Sequence, residues 1–283
     1  MPLRSTVLLI ALCVSTAALA QPSEDLRDVM SARAYGMGGA YRALGLGTES
    51  VLGNPAAMAL FPSYRVEGTG AWDANSKEGL LGISVLDAST SRLAMGVDYH
   101  WVSLGRGGAR SSAHLSSLGV GLPLNQSVMI GAVARYLRLS GESRYVNSVT
   151  ADAGLLLRLS PSFMAGVSAH NLIDTGNSEL TRYFSGHVGF LTQQLTVAGD
   201  VRADFVTNDK STFTYNAGVE YLFGQLLPVR AGYSYDGFQK VSQLSTGVGF
   251  VTEGGGGLDI AYRHDLGSGT GRLLALTIRL QMK

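Results

Sequence analysis

The stretch LTVAGDVRADF, which runs from Leu195 to Phe205, alternates between apolar and polar residues. A period of two residues is typical of a β-strand, because successive side chains point to opposite faces. One face of this strand is apolar, and its length suits a strand that crosses a bilayer at a tilt. The opposite face carries Thr196, Asp200, Arg202 and Asp204.

The same alternation recurs after residue 62 in fourteen segments of similar length. Two of them, 111–122 and 127–139, depart from it because apolar residues occupy both of their faces. The fourteen segments are 63–73, 78–87, 92–103, 111–122, 127–139, 146–158, 163–173, 181–190, 194–206, 212–222, 228–236, 241–251, 257–265 and 271–282.

The polar faces of these segments carry acids and bases in strand after strand, while aromatic residues cluster toward the segment ends. A polar interior with an apolar exterior is what a membrane barrel requires. The sequence therefore predicts an all-β fold, a transmembrane antiparallel β-barrel of about fourteen strands; a secreted soluble β-protein is the alternative, since its charges could face water. The predicted lumen charges are Asp98, Asp152, Arg158, Asp200, Arg202, Asp204, Glu220, Arg230, Asp259, Arg263 and Arg279.

The first twenty residues have the pattern of a secretory signal peptide. Arg4 precedes a short apolar core, and Ala18-Leu19-Ala20 forms a small-residue cleavage site after Ala20. Cys13, the chain's one cysteine, would leave with the signal, which excludes disulfides and cysteine-ligated metals from the mature protein. The net charge of +1 argues against nucleic acid as a partner.

Residues 21–62 do not alternate. Ser23 to Ala34 indicates a short helix with Ser23 as its N-cap. Further on, Asn54 is a good N-cap and Pro55 a good first residue for a second short helix. The glycine-rich run between them lacks the preceding strand of a dinucleotide loop, so it is expected to pack closely against other backbone.

The stretch SARAYGMGGAYRALGLGTESVLGNPAAMAL, from Ser31 to Leu60, resembles the amino-terminal signature of the outer-membrane FadL superfamily. This group includes fatty-acid transporters, aromatic-hydrocarbon channels and PorV/PorQ-type proteins. Gly53 replaces the aromatic residue that often precedes Asn-Pro in the family, and the short outer loops also depart from the fatty-acid transporters. The matching motif residues are Gly36, Met37, Gly38, Gly39, Asn54, Pro55 and Ala56.

The resemblance implies that residues 21–62 form a hatch that plugs the lumen of a barrel made by residues 63–283, in the outer membrane. It implies passage of small hydrophobic compounds; the alternative is a PorV-like accessory role with a secretion-system protein as partner. Hatch side chains facing the wall either contact the ligand or only pack the hatch, and packing is the more common role. The candidates are Met37, Tyr41, Leu44, Leu52, Met58, Leu60 and Phe61.

The lumen charges have two interpretations. They hold the hatch, with Arg33 and Arg42 reaching acids on the wall, or they line a polar path; their interleaved signs favour the first. The five histidines are scattered over separate strands, without a visible Ser-His-Asp proximity or metal-binding spacing. The sequence therefore predicts that the protein is not an enzyme and binds no cofactor or metal. Its predicted partners are outer-membrane lipid and a hydrophobic small molecule.

Overall fold

The structure, a computed structural model, describes residues 26, 29–106, 109–141, 145–175, 179–206, 211–267 and 271–282. In these ranges the chain forms fourteen strands. They are β1 (Tyr64–Asp73), β2 (Gly79–Asp87), β3 (Ala94–Arg106), β4 (Ala109–Pro123), β5 (Val128–Gly141), β6 (Tyr145–Arg158), β7 (Phe163–His170), β8 (Tyr183–Leu191), β9 (Leu195–Asp204), β10 (Thr212–Phe223), β11 (Leu227–Asp236), β12 (Val241–Val251), β13 (Gly256–Leu266) and β14 (Arg272–Met282).

The strands form one closed antiparallel barrel in which each pairs with its neighbours in sequence. β1 closes the barrel against β14, with Tyr64 opposite Met282 and Asp73 opposite Leu273. The predicted all-β, fourteen-stranded antiparallel barrel is thus confirmed. We call the end where β1 begins and β14 ends the terminal end, and the opposite end the loop end.

The barrel places its charges inside and its apolar side chains outside. In β3, Asp98 is 1% exposed, whereas Leu81 on the neighbouring strand β2 is 61% exposed. In β8 the buried residues alternate strictly with exposed ones, so that Ser185 faces inward and Phe184 outward. A water-soluble protein would bury the apolar face instead, because burial of apolar surface drives its folding.

The predicted strand limits agree with the structure to within three residues. Two C-termini differ by three residues: β3 continues to Arg106, and the segment 163–173 leaves the sheet after His170. Asn171 has a positive φ of 55°, and its N–H donates to Asp152 Oδ1 at 2.8 Å instead of continuing the ladder. One side of the wall is consequently lower: β7 has 8 residues, whereas β4 has 15.

Residues 29–62, which we call the N-terminal segment, lie inside the barrel. They contain helix α1 (Ala32–Gly36), helix α2 (Ser50–Gly53) and a 3-10 helix (Pro55–Ala59). α1 contacts β11 to β14, whereas the 3-10 helix contacts β3 to β6 on another part of the wall. None of the helices among the described residues is long and apolar enough to cross a membrane.

The predicted helix from Ser23 to Ala34 is interrupted among the described residues, where Leu26 and Ala32 to Ala34 are helical. Val29 to Ser31 are not helical, and α1 begins at Ala32 with Ser31 as its N-cap. The Ser31 Oγ accepts from the Ala34 N–H at 3.3 Å, which satisfies one of the N–H groups that a helix start leaves open. Ser23 itself, like the predicted signal peptide, lies outside the described residues.

The second predicted cap is present. Asn54 Oδ1 accepts from the Ala56 N–H at 3.1 Å, and Pro55 occupies the first helical position. The helix is of the 3-10 type and one short turn long, ending before Leu60.

The glycine-rich run packs backbone against backbone, as predicted. Gly38 has a φ of 64°, which L-residues with a side chain rarely adopt. A Cβ on Gly232 of the wall would lie 2.2 Å from the Gly38 nitrogen, and one on Gly218 would lie 2.3 Å from the Met37 oxygen. Glycines on both the segment and the wall therefore permit this contact.

Candidate functional site

The structure does not bring the seven predicted ligand-contact residues together in one pocket. All are buried or half-buried in the packing between segment and wall, but they divide among three apolar clusters. Tyr41 and Leu52 belong to a cluster at the loop end. Met58 packs with Val51 and Val133. The others, Met37, Leu44, Leu60 and Phe61, belong to a cluster toward the terminal end.

The loop-end cluster joins apolar side chains of the wall to the start of the chain. Leu26, Val29 and Met30 pack there against inward-facing leucines, above all from β3, β4 and β5. The other two clusters also contain inward-facing apolar residues of the wall, such as Met129 and Val133, but the loop-end cluster is the largest of the three. The wall residues of the cluster include Leu80, Val102, Leu104, Leu115, Leu137, Leu139, Leu180 and Leu273.

Sequence reasoning missed these wall leucines as candidate ligand contacts. The signal was visible, because segments 111–122 and 127–139 carry apolar residues on both faces. One of those faces points outward, and the other supplies Leu115 and Leu137, which are fully buried in the loop-end cluster. Loss of alternation thus marked the part of the wall that faces an apolar interior.

An ion-pair chain connects α1 to the wall near the terminal end. Arg33 makes a paired contact with Glu220, with Nε and Nη2 at 3.1 and 3.0 Å from the carboxylate oxygens. Arg230 bonds the same Glu220 and lies 2.6 Å from Asp259, and Arg279 lies 3.3 Å from Asp259. Acids and bases alternate along this chain, so the charges of segment and wall neutralise one another.

Burial and charge act in opposite directions on Arg33. Burial lowers the pKa of its guanidinium, but the carboxylates of Glu220 and Glu49 outweigh this and raise the pKa above its usual value. Arg33 therefore remains charged, and its partner carboxylates are held in a fixed geometry by a rigid, planar donor.

A second ion pair fixes the chain just after the glycine-rich run. Asp200 Oδ2 on β9 accepts from Arg42 Nη1 at 3.1 Å and from the N–H groups of Tyr41 and Arg42 at 3.2 and 3.3 Å. The contacts of Arg33 and Arg42 with acids on the wall were both predicted from the sequence. Each pair is almost entirely buried.

A third polar group holds the carbonyl end of α2. Arg135 Nη2 donates to the Leu52 carbonyl at 3.4 Å and pairs with Asp152 at 2.5 Å. Ser168 Oγ donates to the Gly53 carbonyl at 3.2 Å. These wall groups satisfy carbonyls that a helix end leaves without partners.

Ser168, His170 and Asp152 lie in hydrogen-bonded order, so the absence of a visible Ser-His-Asp proximity in the sequence was misleading. His170 Nε2 is 2.8 Å from Ser168 Oγ, and His170 Nδ1 is 3.2 Å from Asp152 Oδ2. The neighbouring strands β6 and β7 bring these residues together. All three are buried, and Ser168 faces the Gly53 carbonyl, so the arrangement serves packing of the segment.

The other predicted lumen charges lie in separate contacts around the interior. Arg158 Nη2 donates to the Leu60 carbonyl at 2.7 Å. Asp98 accepts from Ser84 at 2.7 Å and contacts His100. The guanidinium of Arg202 lies over the Tyr183 ring, and that of Arg263 lies over the Tyr35 ring. Asp204 accepts from the Val206 N–H.

Among the described residues, no group of three or more histidine, aspartate, glutamate or cysteine side chains could hold a metal ion. Two apolar grooves lie on the outer surface of the wall. One, of about 430 Å³, is lined by Trp72, Trp101 and Leu274. The other, of about 660 Å³, is lined by Val167, Phe184 and Phe205 among others. Both face away from the lumen, where a membrane would cover them.

No protein-family model matches the chain, and no curated protein matches it. Solved structures do. The CymD monoaromatic hydrocarbon channel has a TM-score of 0.69 at 13% identity, covering 88% of this chain and 96% of its own. The Ralstonia pickettii toluene transporter TbuX has 0.68 at 13%, covering 90% and 98%. A Pseudomonas aeruginosa FadL homologue has 0.64 at 12%, covering 89% and 97%.

At this identity the similarity concerns the fold. It covers nearly the whole length of each compared protein, including those described as a hydrocarbon channel and a toluene transporter. The chain therefore has the fold of FadL-type hydrocarbon channels.

Proposed function

We propose that this protein is an outer-membrane channel of the FadL superfamily through which small hydrophobic compounds pass. Three observations support this. The barrel is apolar outside and charged inside, as a membrane barrel must be. Its fold is shared with channels described as carrying toluene and monoaromatic hydrocarbons. The sequence from Ser31 to Leu60 resembles the signature of the same superfamily.

In this proposal residues 1–20 are a signal peptide removed after Ala20, and the terminal end of the barrel faces the periplasm. Residues 21–62 act as the hatch of a barrel made by residues 63–283. The support is the position of the N-terminal segment, which contacts strands around the interior and is tied to them by buried ion pairs. The lumen charges then hold the hatch in place.

The observation that carries the proposal is the loop-end cluster. Leu26, Val29 and Met30 cover an apolar lumen surface that the wall presents at the end of the barrel remote from the periplasm. When these side chains move away, the exposed leucines offer a hydrophobic compound the same burial. Tyr41 and Leu52, which adjoin this cluster, are the proposed hatch contacts of the ligand.

The remaining predicted ligand-contact residues, Met37, Leu44, Met58, Leu60 and Phe61, are proposed to pack the hatch against the wall. No catalytic step and no cofactor is part of this mechanism. Nothing in the structure favours the PorV-like accessory role or a secretion-system partner.

The test is equilibrium binding of radiolabelled toluene to the purified barrel. Leu115→Gln and Leu139→Gln each place a polar amide in the loop-end cluster and should weaken binding at least about tenfold, because the amide must give up its water. Leu191→Gln, at the terminal end, is the matched control and should bind as the unmodified protein does. Toluene binding that none of the three variants alters, or no binding at all, would contradict the proposal.

A further inference from the structure

A pocket of about 210 Å³ lies at the terminal end, apart from the loop-end cluster. It lies between the N-terminal segment and the wall, beside the turn at residues 192–194 and the end of β14. Its charged lining is strongly unbalanced. Four arginines line it against one acid: Arg33, Arg65, Arg230, Arg279 and Glu220.

Three of the lining arginines already share acids with one another. Glu220 is shared by Arg33 and Arg230, and Asp259, which does not line the pocket, is shared by Arg230 and Arg279. These contacts compensate much of their charge, so the fourth arginine, Arg65, is the one with unsatisfied donors.

Arg65 differs from the other three arginines. It is 7% exposed and lines the pocket from β1. Its Nη2 donates to Gln281, and its Nη1 lies 3.6 Å from Glu67, which pairs with its charge. Within the described part of the chain, its Nε and Nη1 find no hydrogen-bond acceptor, and both atoms are covered by protein, so an anion in the pocket reaches them only when the guanidinium turns toward it. A buried guanidinium with unsatisfied N–H groups is unfavourable unless an acceptor joins it, and a carboxylate fits its planar fork.

The other side of the pocket is apolar. Its lining there consists of Leu46, Leu191, Leu222, Pro228 and Val251. A ligand that satisfies both sides has an anionic group and a short apolar body. The volume is below the roughly 300–1,000 Å³ of sites for drug-sized ligands, so the body is small, on the order of one aromatic ring.

We propose that this pocket binds a small amphipathic organic acid, with its carboxylate on Arg65 and its apolar body against the leucines. The inference rests on the proposed function, and it adds a class of cargo that is charged at one end. Such an acid would occupy the terminal end of the lumen, apart from the loop-end cluster where a neutral hydrocarbon binds.

The test is calorimetric titration of the full-length barrel in detergent with benzoate, benzyl alcohol and inorganic phosphate. Benzoate should bind one to one, benzyl alcohol much more weakly because it has no charge, and phosphate weakly because it has no apolar body. Arg65→Gln should weaken benzoate binding at least about tenfold through loss of charged hydrogen bonds. Arg279→Gln is the second variant, and heat-modifiable migration confirms folding of each.

Arg92→Gln is the matched control. Arg92 lies at the same end of the barrel but is exposed and donates to the Pro123 carbonyl at 2.9 Å, outside the pocket. Its variant should bind benzoate normally. Absence of benzoate binding, equal binding of benzyl alcohol or phosphate, or no effect of Arg65→Gln and Arg279→Gln would overturn the inference. If toluene binding persists and Leu115→Gln still weakens it, the proposed function stands although the organic-acid inference is wrong.

Discussion

At the scale of single residues, Asn54 connects local structure to the barrel wall. Its Oδ1 caps the 3-10 helix through the Ala56 N–H, and its Nδ2 lies 2.8 Å from His187 Nε2 on β8. The residue is fully buried. One side chain thus both starts a helix and ties that helix to the wall.

Asn54→Ala removes the cap and the contact with His187 together. Loss of an N-cap costs about 0.5–2 kcal/mol, so the segment should open more often while the barrel stays closed. Hydrogen exchange at residues 50–60 should accelerate about two- to thirtyfold, with strand amides unchanged. Asn125→Ala is the control, since Asn125 caps an exposed turn of the wall through the Val128 N–H. Equal exchange in both variants would contradict this role of Asn54.

The wall glycines give a second prediction at this scale. A Cβ on Gly218 would lie 2.3 Å from the backbone oxygen of Met37, whereas one on Gly186 would meet nothing within 4 Å. Gly218→Ala should therefore displace the segment at a cost of about 1–3 kcal/mol and speed its cleavage by added protease. Gly186→Ala should be cleaved at the original rate. Similar cleavage of the two variants would show that the segment does not press on the wall here.

The sequence predicted local features of residues well and their neighbours poorly. The Asn54 cap and the close backbone packing of Gly38 follow from the properties of those residues alone. The group of Asp152, Ser168 and His170 depends on the register of β6 against β7, which no local pattern specifies. Ligand contacts were predicted on the N-terminal segment only. The apolar residues on both faces of segments 111–122 and 127–139 indicated irregular strands and not a wall that faces an apolar interior.

At the scale of elements, strand limits were predictable because most strands show the alternation in their own sequence. The end of β7 was not, since Asn171 turns away to bond Asp152 on the neighbouring strand. The interruption of the first predicted helix was missed for a similar reason: Val29 and Met30 pack in the loop-end cluster, and α1 starts after its cap Ser31.

The attachment of the segment to β9 can be tested through Asp200. Asp200→Asn leaves the buried Arg42 without its counter-charge, and breaking a buried pair costs about 3–5 kcal/mol. We expect a lower midpoint of guanidinium unfolding in detergent. The double replacement Arg42→Met with Asp200→Asn removes both charges while the Asn oxygen can still accept from the Tyr41 and Arg42 N–H groups, so it should recover most of the loss. A double variant that is less stable than Asp200→Asn would contradict the ion-pair account.

At the scale of the whole molecule, the barrel and the N-terminal segment are held in place by different interactions. The wall is held by a closed ladder of backbone hydrogen bonds, whereas the segment is held by side chains at separate points. Such an arrangement lets the segment move while the wall stays intact. The central claim is that passage of a hydrophobic compound requires this movement.

A disulfide between segment and wall tests that claim most directly. An ideal Cβ on Gly189 of β8 would lie 3.2 Å from the Ala43 Cβ, so Ala43→Cys with Gly189→Cys can form a bond after a shift of a few tenths of an ångström. The natural sequence has one cysteine, Cys13, within the predicted signal peptide. The single variant Gly189→Cys is the control.

The measurement is uptake of radiolabelled toluene by intact cells that carry the double variant, before and after reduction. The oxidised barrel should take up at least about tenfold less toluene, and a reductant should restore uptake, because the bond ties residue 43, next to Tyr41 of the loop-end cluster, to β8. Equal uptake in the oxidised and reduced states would contradict the central claim.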